Sequence, residues 1–249
     1  MRGLFAIGAM WALTTAIYGG EPVAASEGAA AVRFTWRVGN ASGSCSGSLI
    51  TPRAVLTAAH CVRTPRGRAR RVNRARIGNP NGATQSVRVA EVVVHPDYAA
   101  SHPERGNDLA ILELAEDARA TPMPLVTDDS SVAQGTRLRV WGFGIARARS
   151  NRATRLRQAR LELLSPFHCF SGDVQGMART RMCGANPSAG VCPGDSGAPV
   201  LVEVDGALRQ LGVVSLAIDN ARRCTESATV FTRLTAFSDW TTDATRRAR

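Results

Sequence analysis

Seven short stretches of this chain alternate apolar and polar residues: AVRFTWRV (31–38), VRVAEVVV (87–94), LAILEL (109–114), TRLRVWG (136–142), LVEV (201–204), LGVVSLAI (211–218) and TVFTRL (229–234). Successive side chains of an extended backbone point to opposite sides, so each stretch reads as a strand with one face turned toward a core. Clusters of Gly, Pro, Asn and Asp separate them at intervals typical of an all-β fold, and there is no βαβ rhythm. Helical character is expected only near the end, over residues 234–246. There Phe237 and Trp240 share a face, and Arg246 and Arg247 sit where cations suit the helix dipole. The run AEDARATPMPLVTDDSS, residues 115–131, reads as a polar connection between two strand-rich halves. With 249 residues, 44% of them hydrophobic, the chain can bury a substantial core.

Arg2 precedes an apolar run, Leu4 to Leu13, that is too short to span a bilayer but has the size of a signal-peptide core. Export is therefore expected, with a signal peptide over residues 1–16 and an extracellular or periplasmic destination. No later segment is apolar enough to span a membrane. The even count of six cysteines, Cys45, Cys61, Cys169, Cys183, Cys192 and Cys224, fits three disulfides in an oxidising compartment. The pairs His60-Cys61 and His168-Cys169 lack the C-x-x-C spacing of zinc knuckles, so no metal is expected. All 31 cationic residues are arginine and the formal charge is +11, a pattern that points to biased codon usage. The dense run RTPRGRARRVNRAR, Arg63 to Arg76, has no interleaved aromatics and reads as a solvated loop; binding of nucleic acid or acidic polysaccharide is the alternative.

Three segments carry the chemistry. LTAAHC supplies His60, GNDLAILEL supplies Asp108 at the start of an alternating strand, and CPGDSGAPV supplies Ser196 in a Gly-rich turn. A serine hydroxyl needs a base to take its proton, and the base needs an acid to hold its tautomer. The order His, Asp, Ser excludes the α/β-hydrolase order of Ser, acid, His and the subtilisin order of Asp, His, Ser.

With these motifs the chain resembles the chymotrypsin and trypsin family of serine proteases, from Ile17 to about Trp240; VHPDY, which contains His95, and WGFG match as well. The resemblance implies two packed antiparallel six-stranded β-barrels with a short C-terminal helix. The first would cover about residues 17–122, and the second, with the helix, about 123–249. His60 would be general base and then acid, Asp108 its orienting partner, Ser196 the nucleophile, and the N–H groups of Gly194 and Ser196 the oxyanion hole. The family pairing would join Cys45 to Cys61, Cys169 to Cys183 and Cys192 to Cys224. His102 and His168 lack matching contexts and read as surface residues.

By the same resemblance, the primary specificity pocket is expected to involve Gly190, Val191, Ser215, Ala217 and Thr229. Gly190, with Val191 beside it, stands where Arg- and Lys-cutting relatives carry Asp, so small or medium aliphatic residues are the expected preference. Glu226 is the one carboxylate whose position could alter that. IYGG, residues 17–20, resembles the N-terminus of an activated member, so the α-ammonium of Ile17 is expected to pair with Asp195 after cleavage before Ile17; cleavage after Ala25 is the rival. The loop GNPNGATQSV lacks the acids that bind calcium in some relatives, and no cofactor is expected. The overall expectation is a secreted, monomeric serine endopeptidase acting on protein or peptide substrates and open to protein inhibitors. Its alternative is a catalytically silent cationic binding protein on the same scaffold.

Overall fold

The computed structural model describes residues 17–144, 155–218, 224 and 228–247. Residues 1–16 and Glu226 lie outside them, and so do the expectations that fall there. The first half supplies β1 (Glu21–Pro22), β2 (Ala31–Val38), β3 (Ala41–Thr51), β4 (Ala54–Thr57), β5 (Arg71–Gly78), β6 (Thr84–Val94) and β7 (Ala110–Leu114). The second supplies β8 (Arg137–Gly142), β9 (Arg157–Leu163), β10 (Arg181–Ala185), β11 (Pro199–Val204), β12 (Ala207–Ala217) and β13 (Thr229–Arg233).

Strands β2-β3-β4-β7-β6-β5 close into one antiparallel barrel. A second six-stranded barrel runs β9-β10-β13-β12-β11-β8 and closes by pairing β8 with β9, while β1 adds to β9. Alternation explains the inner faces: in β2, Val32 and Phe34 are buried while Thr35 and Arg37 are exposed. By contrast β7 buries Ala110, Ile111 and Leu112 in succession. The first barrel's core continues across to Trp141, Phe143, Leu201 and Val213 of the second half, so apolar side chains of the two halves pack in one cluster.

The C-terminal segment begins as a 3-10 turn over Leu234–Phe237 and becomes α2, Ser238–Arg247. Phe237 and Trp240 both pack on His95, with ring centroids 5.2 and 5.0 Å away. Burial pushes the His95 imidazole below its ordinary value, and its Nδ1 accepts the Asp97 N–H. His95 is thus a packing residue. His102 and His168 are exposed.

Two expectations are corrected. The run from Arg63 to Arg76 is not one solvated loop: its second half is β5, with Val72 and Ala75 buried and Arg71, Arg74 and Arg76 exposed. Nor is the C-terminus the sole helix, because α1 spans Val174–Thr180, with the Asp173 carboxylate accepting the Gly176 N–H at its start.

Candidate active site

Strand β4 ends in a 3-10 turn over Ala59–Cys61, and a disulfide from Cys61 to Cys45 fastens that turn to β3. His60 therefore sits on a short, tethered segment. Asp108 immediately precedes β7 and is fully buried. The His60 backbone N–H donates to Asp108 Oδ1 and His60 Nδ1 donates to Oδ2, each at 2.8 Å. Ser215, on β12, donates its hydroxyl to the same Oδ2 at 2.5 Å. Burial alone would raise the Asp108 carboxyl, but the His60 imidazole and the hydrogen bonds from His60 and Ser215 outweigh it and hold it below the usual range. With Nδ1 committed, Nε2 is the imidazole nitrogen left to exchange a proton.

Ser196 is half-buried in the turn before β11. Gly194 has φ of 99°, a left-handed conformation that a side chain would oppose. The N–H groups along the turn alternate in their use. Those of Asp195 and Gly197 donate to the carbonyls of Cys192 and Val214, each at 2.9 Å. No acceptor among the described residues takes the N–H of Gly194 or of Ser196. Backbone donors are rarely left unpaired unless something else is meant to meet them, so this pair is a ready receptor for a negatively charged oxygen. The Ser196 carbonyl lies 3.5 Å from Cys61 Sγ, which brings this turn beside the one carrying His60.

Ser46 is a site residue that the sequence reading missed. It is fully buried on β3, its N–H donates to the Ser196 carbonyl at 2.9 Å, and its hydroxyl donates to the Gly194 carbonyl at 2.9 Å. The same hydroxyl accepts the Phe143 N–H at 3.1 Å. A first-barrel serine thereby holds two carbonyls of the second-barrel turn. Its only signal in sequence is the buried-cysteine neighbour in CSGSL. Arg70 was missed too: its guanidinium lies 3.9 Å over the Trp36 ring and donates to the His60 carbonyl at 2.6 Å.

Asp195 is fully buried, accepting from Gly144 N–H at 2.6 Å and Cys192 N–H at 2.9 Å. Its carboxylate is pressed against a glycine-lined wall, since a Cβ on Gly144 would lie 2.3 Å from Oδ2. Burial pushes its carboxyl up to about 7, against the pull of those two N–H groups. Ile17 is fully buried in the second barrel's core, with φ of 49°. Tyr18 pairs with Gly190, whose N–H donates to the Tyr18 carbonyl at 3.0 Å.

Among the expected pocket residues, Ala217 and Thr229 face each other across β12 and β13, Thr229 buried and Ala217 exposed. Gly190 is buried, and Val191 packs against the second barrel's core. Cys192 is bonded to Cys224, and Cys169 to Cys183. Among the described residues no cluster of three or more His, Cys, Asp or Glu side chains could hold a metal, and no helix is long and apolar enough to cross a membrane.

Comparison with known proteins agrees in extent. The trypsin family model matches residues 17–241. The serine protease Hayan of Drosophila melanogaster is 34% identical over 225 residues, 81% of this chain but 34% of that protein, so the chain spans about a third of its length. Chymotrypsin-like elastase family member 1 of Bos taurus is 27% identical over 236 residues, 92% of this chain and 89% of its own. The same protein of Macaca fascicularis is 30% identical over 203 residues, 79% and 76% of the two chains.

Proposed function

The chain belongs to the trypsin family, and on that premise we propose that it is an exported serine endopeptidase working through an acyl-enzyme. The observation that carries the reading is the pair of unaccepted N–H groups at Gly194 and Ser196, beside a histidine already oriented by a buried carboxylate. Ser196 Oγ attacks the scissile carbonyl carbon while His60 Nε2 takes its proton, and the carbonyl oxygen, now negative, receives the two N–H groups. The imidazolium returns that proton to the departing amine. Water then repeats the sequence on the ester, activated by the same nitrogen. Asp108 stays ionised throughout, holding Nδ1 protonated and offsetting the imidazolium charge, as in the established chemistry of the family.

Processing before Ile17 completes the site in this reading. In the intact chain a β-branched residue holds a left-handed φ, and Asp195 is a buried carboxylate with no cation beside it among the described residues. Cutting the 16–17 bond removes that torsion and creates an ammonium for the carboxylate. Small residues at Thr14, Thr15 and Ala16 suit signal peptidase, so export itself supplies the active terminus.

Gly190 brings no counter-charge to the primary pocket, and an arginine entering it would be desolvated unpaired. The preference assigned here is for small or medium aliphatic residues, in keeping with the relatives named elastase. Each methylene gained or lost is worth about 1–3 kcal/mol of discrimination. A fluorophosphonate probe on the form beginning at Ile17 tests the chemistry: a single adduct on Ser196, absent from Ser196→Ala, is expected. A folded, disulfide-bonded protein that stays unlabelled would instead be the silent cationic binder. Cleavage profiling against a mixed peptide library tests the preference, and faster cleavage after Arg than after Ala or Val overturns it.

A further inference from the structure

Between Glu27 and Glu91 the chain contains eleven arginines and no carboxylate; two of its 20 acidic residues precede this stretch and the other 18 follow. Biased codon usage accounts for arginine in place of lysine but not for the exclusion of acids from 63 consecutive residues. The fold concentrates these cations. Antiparallel register sets Arg37 directly opposite Arg71 and Arg33 opposite Arg76 across β2 and β5, and Arg74 opposite Arg88 across β5 and β6. Like charges facing each other on adjacent strands are unfavourable, and here three such pairs recur on one outer face. The Arg33 guanidinium is held below its ordinary value by burial and then by Arg76.

None of Arg37, Arg71, Arg74, Arg76 and Arg88 is joined to a carboxylate among the described residues. Arg74 is steadied instead by Ser86, whose hydroxyl and carbonyl accept from it at 3.0 and 2.6 Å. Arg53 is excluded from this set by its ion pair with Asp117, and Arg70 by its packing on Trp36. Two of the three facing pairs, Arg37 with Arg71 and Arg74 with Arg88, are thus built into the sheet with no carboxylate partner among the described residues.

We propose that the outer face of β2, β5 and β6 binds a linear sulfated polysaccharide, whose anions occupy the places that carboxylates would take between the paired guanidinium groups. Three strands about 4.8 Å apart make a strip about 10 Å wide, enough for one extended chain. Guanidinium groups meet sulfate through paired N–H donors. A single-stranded nucleic acid would call for exposed aromatic platforms. The aromatics on these three strands are Phe34, which is buried, and Trp36, which Arg70 covers. This face holds no residue of the catalytic machinery, so binding would localise the enzyme without entering its chemistry.

Heparin fragments of defined length, duplex DNA and anionic lipid vesicles are the probes, titrated against the full protein at several salt concentrations. The variant carries Arg37→Gln, Arg71→Gln, Arg74→Gln and Arg88→Gln; the control carries Arg119→Gln, Arg137→Gln, Arg155→Gln and Arg179→Gln, which are exposed elsewhere. Both lose the same net charge. Heparin affinity should fall at least about 30-fold in the variant and less than about threefold in the control. The slope of log affinity against log salt should drop by about one per arginine removed from the face. Without any polyanion, the variant's Tm should rise by about 1–4 °C as the repulsion is relieved, which also shows that it folds. Equal losses in the two proteins, no binding of heparin near physiological salt, tighter binding to DNA or to vesicles, or an unchanged or lower Tm in the variant would each overturn the proposal.

Discussion

The N–H of Ser46, on a strand of the first barrel, donates to the carbonyl of Ser196, in the second, at 2.9 Å. Its hydroxyl meets the Gly194 carbonyl at the same distance, so one residue fixes the Gly194–Asp195 and Ser196–Gly197 peptides. Ser46→Ala keeps the first bond and deletes the second. Leaving a buried carbonyl without its donor costs about 1–3 kcal/mol, and the N–H pair at Gly194 and Ser196 loses its alignment. We expect kcat to fall about 10-fold or more with KM within about twofold, and the affinity for a peptide boronate to fall in parallel. Steady-state kinetics decide: a raised KM at unchanged kcat would make Ser46 a substrate-binding residue instead.

Asp108 takes three donors from two residues, and their removal should be graded. Asp108→Asn presents an amide to Nδ1, favours the wrong tautomer and should lower kcat by about 10²–10⁴-fold at neutral pH. Ser215→Ala removes one donor of the three, for a loss of about 10-fold. The Asp108 carboxyl is held below its unfolded value, so its contribution to stability is present above that value and is lost as pH falls through the folded one. Ser215→Ala raises the folded value, and thermal scans from pH 7 to pH 2 should show the acid loss beginning at higher pH.

Asp195 gives the opposite slope. In the chain that retains residues 1–16, its carboxyl is pushed up to about 7, above the unfolded value near 4. The folded form therefore keeps a proton that the unfolded form has released. This contribution is fully present below about pH 4 and is lost as pH rises to about 7, at no more than about 1.4 kcal/mol per pH unit. The form beginning at Ile17 should lack this slope, because the ammonium keeps the carboxylate ionised, and Asp195→Asn should abolish it in the longer form. Guanidinium unfolding at stepped pH values measures all three; identical slopes in the two forms would mean that Ile17 and Asp195 do not pair.

Arg70 couples the outside of the first barrel to the histidine turn. Arg70→Ala removes the cover from Trp36 and the donor to the His60 carbonyl, and should cost about 1–3 kcal/mol, a fall in Tm of about 2–12 °C. Arg70→Lys keeps the charge without the planar fork and should recover less than half of the loss. Differential scanning calorimetry, with Trp36 fluorescence as a local probe, distinguishes the two variants.

In β2 polarity alternates because one face meets water, whereas β7 and β13, buried on both faces, are legible as short apolar, β-branched runs between turn residues. β3, ASGSCSGSLIT, was hidden by chemistry of the opposite kind. Its Ser46 and Ser48 are fully buried, and Ser48 donates to Gln210 on β12 at 2.6 Å, so the face against the second barrel is polar and hydrogen-bonded. A hydropathy pattern counts such hydroxyls as exposed. β5 was masked by its arginines, although Val72, Ala75 and Ile77 turn inward. Helix α1 is seven residues long, too short for a 3.6-residue period to declare itself. His60, Asp108 and Ser196 stood out because each lies in a local motif. Ser46 and Arg70 act through backbone carbonyls brought near by barrel closure, and no local pattern reports that.

The short strand β1 pairs Glu21 with Gln158 and Pro22 with Arg157, and Tyr18 pairs with Gly190. The first residues of the described fold therefore find their places only on segments made late in synthesis. During elongation the first barrel can close while residues 17–22 still have nothing to dock against. Their contacts span well over a hundred residues of chain, the kind that forms last because the loop entropy must be met before any contact rewards it. Assembly at the start of the described fold is thus timed by translation: an incomplete chain, however well folded its first half, lacks the segments on which residues 18–22 dock.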